Sequence, residues 1–186
     1  MSVMKLKLGG KTITAIVNFP ARVQKSCVTL DEIDHLLLDL VQVDASRPLH
    51  DLGDAVGLSP SAVQRRLTRL RAEGVIRAQV AVLDPEALGA GMTSVILVAL
   101  TDDDIEHHTA FRERMLAEPG VQHCYSIVGQ WDYVVVLLTP DLKASRYLSR
   151  DLFTEHVKRF ETLPAFDVVK SSQAVPVPGV SRGSGR

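Results

Sequence analysis

Two glycines and a valine at fixed separations constrain this chain more than any other feature. Gly57 stands between two short apolar-striped segments, with Gly53 four residues before it and Val63 six residues after it. Glycine takes a left-handed backbone conformation at little cost, which suits Gly57 to a sharp reversal between two packed helices. Gly53 leaves room for the second helix to approach, and Val63 plugs the angle between them. Leu52, Val56, Leu58 and Leu67 complete a miniature core. Ser59-Pro60 opens the second helix with a hydroxyl cap and a proline at the first helical position, and Gly74 closes it.

The outward face of that helix carries charge. With Val63, Leu67 and Leu70 turned inward at i, i+4, i+7, Ser61, Gln64, Arg65 and Thr68 point outward. Between Pro60 and Val80 stand Arg65, Arg66, Arg69, Arg71 and Arg77 against the single acid Glu73. The whole chain has a formal net charge of -1, so this excess is local, as a phosphate-facing surface requires. The N-terminal half of a recognition helix meets base edges, which makes Ser61, Gln64 and Arg65 the expected readers. Ser59 and Thr68 flank them, while Arg66, Arg69 and Arg77 are expected on phosphates, which set position rather than sequence. A charge run alone usually just solvates a helix; the turn spacing beside it favours double-stranded DNA as partner. The reading requires these guanidinium groups to stay clear of the protein's own carboxylates.

The flanking segments extend the pattern. Leu30, Ile33, Leu36, Leu37, Leu40 and Val41 fall on one helical stripe, begun by a cap at Thr29 (with Glu32) or at Asp31. A short helix is expected from Pro48 to Gly57. Val75–Leu83 reads as extended, a wing closed by Asp84-Pro85. Residues 29–83 are therefore expected to form a winged helix-turn-helix, with 84–92 as linker. Residues 93–175 alternate types. Ser94–Leu100 is a strand, and Asp102–Asp104 precede a helix toward Leu116. Val121–Val128 and Trp131–Thr139 are strands about Gly129-Gln130. A long helix follows from Pro140-Asp141 through Val157 and Phe160, and Phe166–Val175 is the last strand. The order βαββαβ is ferredoxin-like, and the fold class is α+β.

The ends are simpler. Residues 1–28 hold Lys5, Lys7, Lys11, Arg22 and Lys25 without an acid, and Gly9-Gly10 separates two strand-like runs. A basic extension, hairpin or disordered, is expected there. Residues 176–186, rich in Pro, Gly, Ser and Arg, are expected to be disordered. No apolar run approaches the ~20 residues that span a bilayer, so the chain is expected in the cytoplasm with no membrane partner. Cys27 and Cys124 fit no metal or disulfide spacing and read as free thiols.

Together these residues resemble the leucine-responsive/asparagine-responsive (Lrp/AsnC, feast/famine) family of regulators. The matching blocks are Leu30-Asp31-Glu32-Ile33-Asp34, Val56-Gly57-Leu58-Ser59-Pro60-Ser61, Arg65-Arg66-Leu67, and Glu73-Gly74-Val75-Ile76. Gly129-Gln130-Trp131-Asp132-Tyr133 resembles the family's G-D-[FY]-D turn, with Gln130 in place of the usual acid and a bulkier Trp131. The resemblance implies a transcriptional regulator that pairs through its C-terminal sheet into a homodimer, in some members an octamer. It also implies an amino acid or related metabolite as effector. By motif, Gly129, Gln130 and Asp132 are the effector-side residues. A glycine turn exposes N–H groups to a carboxylate, and Asp132 can accept an ammonium; it can equally cap the hairpin or lie in a subunit contact.

Other chemistry is thinly represented. His107-His108, one residue apart on a helix, point about 100° apart, and His123-Cys124 on a strand face opposite ways, so neither pair is expected to share a metal. No phosphate loop or nucleophile elbow is present, and no cofactor is expected. An enzyme similar to the sirohaem decarboxylases, drawing on His107, His108, His123 and His156, is the alternative from another class. A nucleoid-type architectural protein is a third.

Overall fold

The computed structural model describes residues 2–8, 11–17 and 28–180. The Gly9-Gly10 turn, Arg22, Lys25, Cys27 and the last part of the tail lie outside the described residues. The chain divides into two compact units, 23–82 with 171–186, and 1–22 with 83–170.

In the first unit, α1 (Glu32–Val43), α2 (Leu49–Val56) and α3 (Pro60–Ala72) surround a core of Leu37, Leu52, Val63, Leu67 and Leu70. Asp31 is the cap of α1: its side chain accepts from the Asp34 N–H, and the Asp34 side chain accepts from the Asp31 N–H in return. Leu36, expected on the inner stripe, is 39% exposed; Asp34 is buried in the helix instead. Pro48 sits just before α2 rather than within it, and Gly57 ends α2 with φ +70°. A Cβ on Gly53 would stand 2.4 Å from the Leu58 carbonyl oxygen, so this position tolerates glycine because backbone, not side chain, fills the space. After α3, Gly74 (φ +72°) lets the Val75 and Ile76 N–H groups fold back to the Leu70 carbonyl.

The expected wing is corrected: residues 75–83 contain no strand. An extended run becomes a strand only against a partner, and Val80, Val82 and Leu83 stand exposed. Farther on, Gln42 holds the returning chain, accepting from the Val175 N–H at 2.7 Å and donating to its carbonyl at 3.2 Å.

The second unit carries a four-stranded antiparallel sheet ordered β4-β5-β3-β6. Its elements are β3 (Met92–Leu100), α4 (Ile105–Ala117), β4 (Val121–Ser126), β5 (Tyr133–Thr139), α5 (Leu142–Leu152) and β6 (Val157–Pro164). This is the βαββαβ arrangement. One face of β3 and β5 packs Ile96, Val98, Leu100, Tyr133, Val135 and Leu137 against Phe111 and Met115 of α4 and Leu152 of α5. The alternate residues Val95, Leu97, Val134, Val136 and Leu138 form a second, half-covered apolar face. Two expectations are corrected here. The long helix stops at Leu152, and Val157 with Phe160 belongs to a strand; Phe153 (φ -103°, ψ 63°) already leaves the helical region, and His156, with φ +62°, turns the chain into the strand. The last strand is therefore Val157–Pro164, and Phe166–Val175 carries none. A hairpin of β1 (Ser2–Leu8) and β2 (Lys11–Val17) pairs antiparallel, from Ser2↔Val17 to Leu8↔Lys11.

Candidate nucleic-acid interface and effector cleft

The outward side of α3 matches the helical spacing. Ser59, Ser61, Gln64, Arg65 and Thr68 are exposed. The Ser59 hydroxyl caps the helix by accepting from the Ala62 N–H, and Gln64 donates to the Thr68 hydroxyl at 3.3 Å. Arg65 and Arg77 are exposed, and among the described residues no carboxylate pairs with either. Arg66 and Arg69 are placed differently. Arg66 donates to Asp31 at 2.7 Å and to Asp34 at 2.9 Å, and Arg69 also donates to Asp34. The requirement that the guanidinium groups avoid the protein's own carboxylates thus holds for Arg65 and Arg77 and fails for Arg66 and Arg69.

That pairing has a local cause. Asp34 points inward from α1 and is 1% exposed, so its charge needs partners that only α3 can supply. Burial pushes its carboxyl up, but the bonds from Arg69, Arg66 and the Asp31 N–H outweigh this and hold it below the usual carboxylate range. The Asp34 N–H and Arg66 likewise hold Asp31 down. The two arginines fasten α3 to α1 and so fix the pitch of the exposed face. Sequence reasoning missed this because Asp31 and Asp34 read as helix-dipole and capping residues, which they also are.

In the second unit the sheet end opens into a cleft of about 420 Å³, lined among others by Thr101, Asp102, Gln130, Asp132, Lys158 and Arg159. Gln130 and Asp132 come together there. Gly129 lies next along the chain with φ +149°, a conformation that favours glycine. Asp132 Oδ2 accepts from the Leu100 N–H at 2.7 Å, and its own N–H donates to the Val98 carbonyl. One carboxylate oxygen thus caps the strand end while the side chain still borders the cleft. Asp102, expected only to precede the helix, lines it too; the His107 ring and the Asp104 N–H hold its carboxyl low, so it is charged. Asp104 is the helix cap proper, accepting from the Glu106 N–H. Lys158 and Arg159 were not foreseen, because β6 was read as helix. Arg159 lies 4.4 Å over the Trp131 ring and donates to the Gln130 carbonyl at 3.4 Å. The cleft therefore brings carboxylates and cations together in its lining.

The neighbouring histidines diverge as adjacent helical residues must. His107 bonds Asp102 and stacks on His156, with ring centroids 3.5 Å apart, whereas His108 bonds the buried Tyr133 hydroxyl at 2.8 Å. Cys124 keeps its proton, since desolvation pushes its thiol up to about 11. Among the described residues no helix is long and apolar enough to cross a membrane.

Comparison with known proteins decides between these readings. Residues 30–71 match the AsnC-type helix-turn-helix domain and residues 93–175 the Lrp/AsnC ligand binding domain. The chain is 32% identical, over 87% of its length and 97% of the relative, to an HTH-type transcriptional regulator of Sinorhizobium fredii. It is 31% identical to the DNA-binding transcriptional activator DecR of Escherichia coli, over 78% of this chain and 91% of that one. The chain belongs to the Lrp/AsnC family. Among solved structures, an AsnC family regulator from Agrobacterium tumefaciens superposes with a TM-score of 0.76 at 26% identity, covering 79% of this chain and 97% of that one. A Neisseria meningitidis regulator solved as an L-Met complex gives 0.75 at 26% identity, over 81% and 98%. This Lrp/AsnC protein is a transcriptional regulator with a helix-turn-helix and a ligand-binding domain. The sirohaem-decarboxylase-type enzyme and the architectural protein do not fit these relatives.

Proposed function

We propose that this Lrp/AsnC regulator reads its operator through Ser61, Gln64 and Arg65 and senses an α-amino acid at the cleft beside Gly129, Gln130 and Asp132. The observation that carries the DNA reading is the pairing pattern on α3: Arg66 and Arg69 are spent on Asp31 and Asp34, while Arg65 and Arg77 face outward unpaired. Gln64 and Arg65 suit two-bond recognition of adenine and guanine in the major groove, worth about 1–3 kcal/mol of discrimination each. Ser59, Thr68 and Arg77 contact phosphates. Arg66 and Arg69 act mainly by holding the reading helix, and lend positive potential to the same surface.

The cleft favours a zwitterion. Asp102 and Asp132 suit the ammonium, and Lys158 with Arg159 suits the carboxylate. The L-Met complex of the Neisseria meningitidis relative supports an amino acid as the ligand class. The half-covered sheet face around Val95, Leu97, Val134 and Val136 supports pairing of two copies into a homodimer, the unit from which an octamer is built. A DNA-binding role supports a cytoplasmic, nucleoid-associated location.

The test is a pair of titrations on an operator duplex and a random duplex. Arg65→Ala lowers affinity for the operator about tenfold or more and leaves random DNA nearly unaffected, whereas Arg77→Ala weakens both alike. Equal binding by wild type and both variants would remove the site.

A further inference from the structure

A second, separate recess lies on the outer flank of α5. Strand register puts Phe160 opposite Val98, Thr162 opposite Ile96 and Pro164 opposite Ser94, so these three β6 residues stand on the helix-covered face of the sheet. Because β6 is the edge strand, α5 does not fully cover them. A groove of about 850 Å³ is left between helix and strand, with Tyr147 and Phe160 among its apolar walls. That size suits a small ligand.

The polar groups along the groove share one character. Lys143, Arg146 and Arg150 fall on one stripe of α5 and are exposed, and among the described residues no carboxylate pairs with them. Among the described residues no acid lines the groove. Ser149 also lines it, is 1% exposed, and among the described residues its hydroxyl has no hydrogen-bond partner, although Ser145, one turn earlier, bonds Ser94 at 2.9 Å. A buried hydroxyl without an acceptor is unfavourable, so an acceptor supplied from outside is stabilising there. Three free cations beside it prefer that acceptor to be an anion. With no carboxylate to receive an ammonium, an amino acid is repelled where the corresponding simple acid is drawn in.

We propose that the α5–β6 groove binds an apolar monocarboxylate lacking an α-amino group, its carboxylate held by Ser149, Arg146 and Arg150 and its tail against Tyr147 and Phe160. This is a site apart from the amino-acid cleft: it shares none of that cleft's residues and recognises an anion rather than a zwitterion.

Calorimetric titration of the full-length protein carrying Asp132→Ala, which silences the cleft, isolates the groove. The probes are 3-phenylpropanoate and 4-methylpentanoate, compared with phenylalanine and leucine, which differ by the α-ammonium. The acids are expected to bind at least about tenfold tighter than the amino acids, and Arg146→Gln with Arg150→Gln to lose about tenfold of that affinity. Ser149→Ala is expected to lose roughly fivefold without lowering the melting temperature of the free protein, since it removes an unsatisfied hydroxyl. Equal binding of acids and amino acids, or unchanged affinity in the arginine pair, overturns the proposal. So does a change in sedimentation of the arginine pair, which would make the groove a contact between copies. None of these failures touches the cleft, whose own test starts from stabilisation of the wild type.

Discussion

At the scale of single residues, the two glycines of the turn separate two physical effects. Gly53 has negative φ but no room, since a Cβ would lie 2.4 Å from the Leu58 carbonyl oxygen; Gly57 has room but a φ of +70°. Gly53→Ala must move backbone and is expected to cost about 2–3 kcal/mol, outweighing the ~1 kcal/mol gain in helix propensity. Gly57→Ala is expected to cost only about 1–2 kcal/mol. Urea unfolding of both variants checks the order. Asp34 supplies a second case. Its folded pKa lies below the ordinary carboxylate value, so its contribution is complete above about pH 4 and is lost as pH falls further. Thermal melts of the wild type should therefore weaken as pH falls below about 4. Asp34→Asn should be less stable at neutral pH by about 2 kcal/mol, because its arginine partners remain partly in water, and flatter in that acid window. A variant with the same acid slope as wild type would assign the slope to other carboxylates.

Elements were legible where a local rule decides them and illegible where a partner does. The three helices and their caps follow from apolar stripes, Ser59-Pro60, Gly57 and Gly74, all of which act within a few residues. β5 was read as a strand from the apolar run after the Gly129-Gln130 turn; its alternate burial at Tyr133, Val135, Leu137 and Thr139 emerges only in the fold. β6 was not: as an edge strand its outer residues stay exposed, and the i, i+3 spacing of Val157 and Phe160 imitates a helix. The wing failed for the complementary reason, that an extended segment without a partner in the chain forms no ladder. The α3 surface was legible in its outward residues but not in the division of its arginines, because Arg66 and Arg69 find Asp31 and Asp34 thirty-odd residues away. This division makes a prediction for the element as a whole. Arg77→Ala should reduce the dependence of log affinity on log salt by about one unit of slope, the loss of one phosphate contact. Arg66→Ala should act first on the melting temperature and shift the slope less. Fluorescence-anisotropy titrations over a salt series, beside thermal melts, distinguish the two; equal slopes for both variants would return Arg66 to the phosphates.

For the whole molecule, the resemblance pointed to a candidate effector motif, and the fold places further charged groups beside it. Gln130 and Asp132 meet Asp102, Lys158 and Arg159 only once β6 returns beside β3. An α-amino acid is expected to raise the melting temperature, by a free energy that grows as the logarithm of its excess over Kd. Asp132→Ala should abolish that shift, although it also removes the cap on the Leu100 N–H and lowers the unliganded melting point. A metabolite panel without a stabiliser of the wild type would count against sensing at this cleft.

The most direct trial of the regulator reading is selection of bound duplexes from a random DNA library by the wild type and by Arg65→Ala. A two-fold symmetric motif is expected for the wild type, and loss of preference at one base pair in each half-site for the variant. Recovery of no motif, or of the same motif by both proteins, contradicts it.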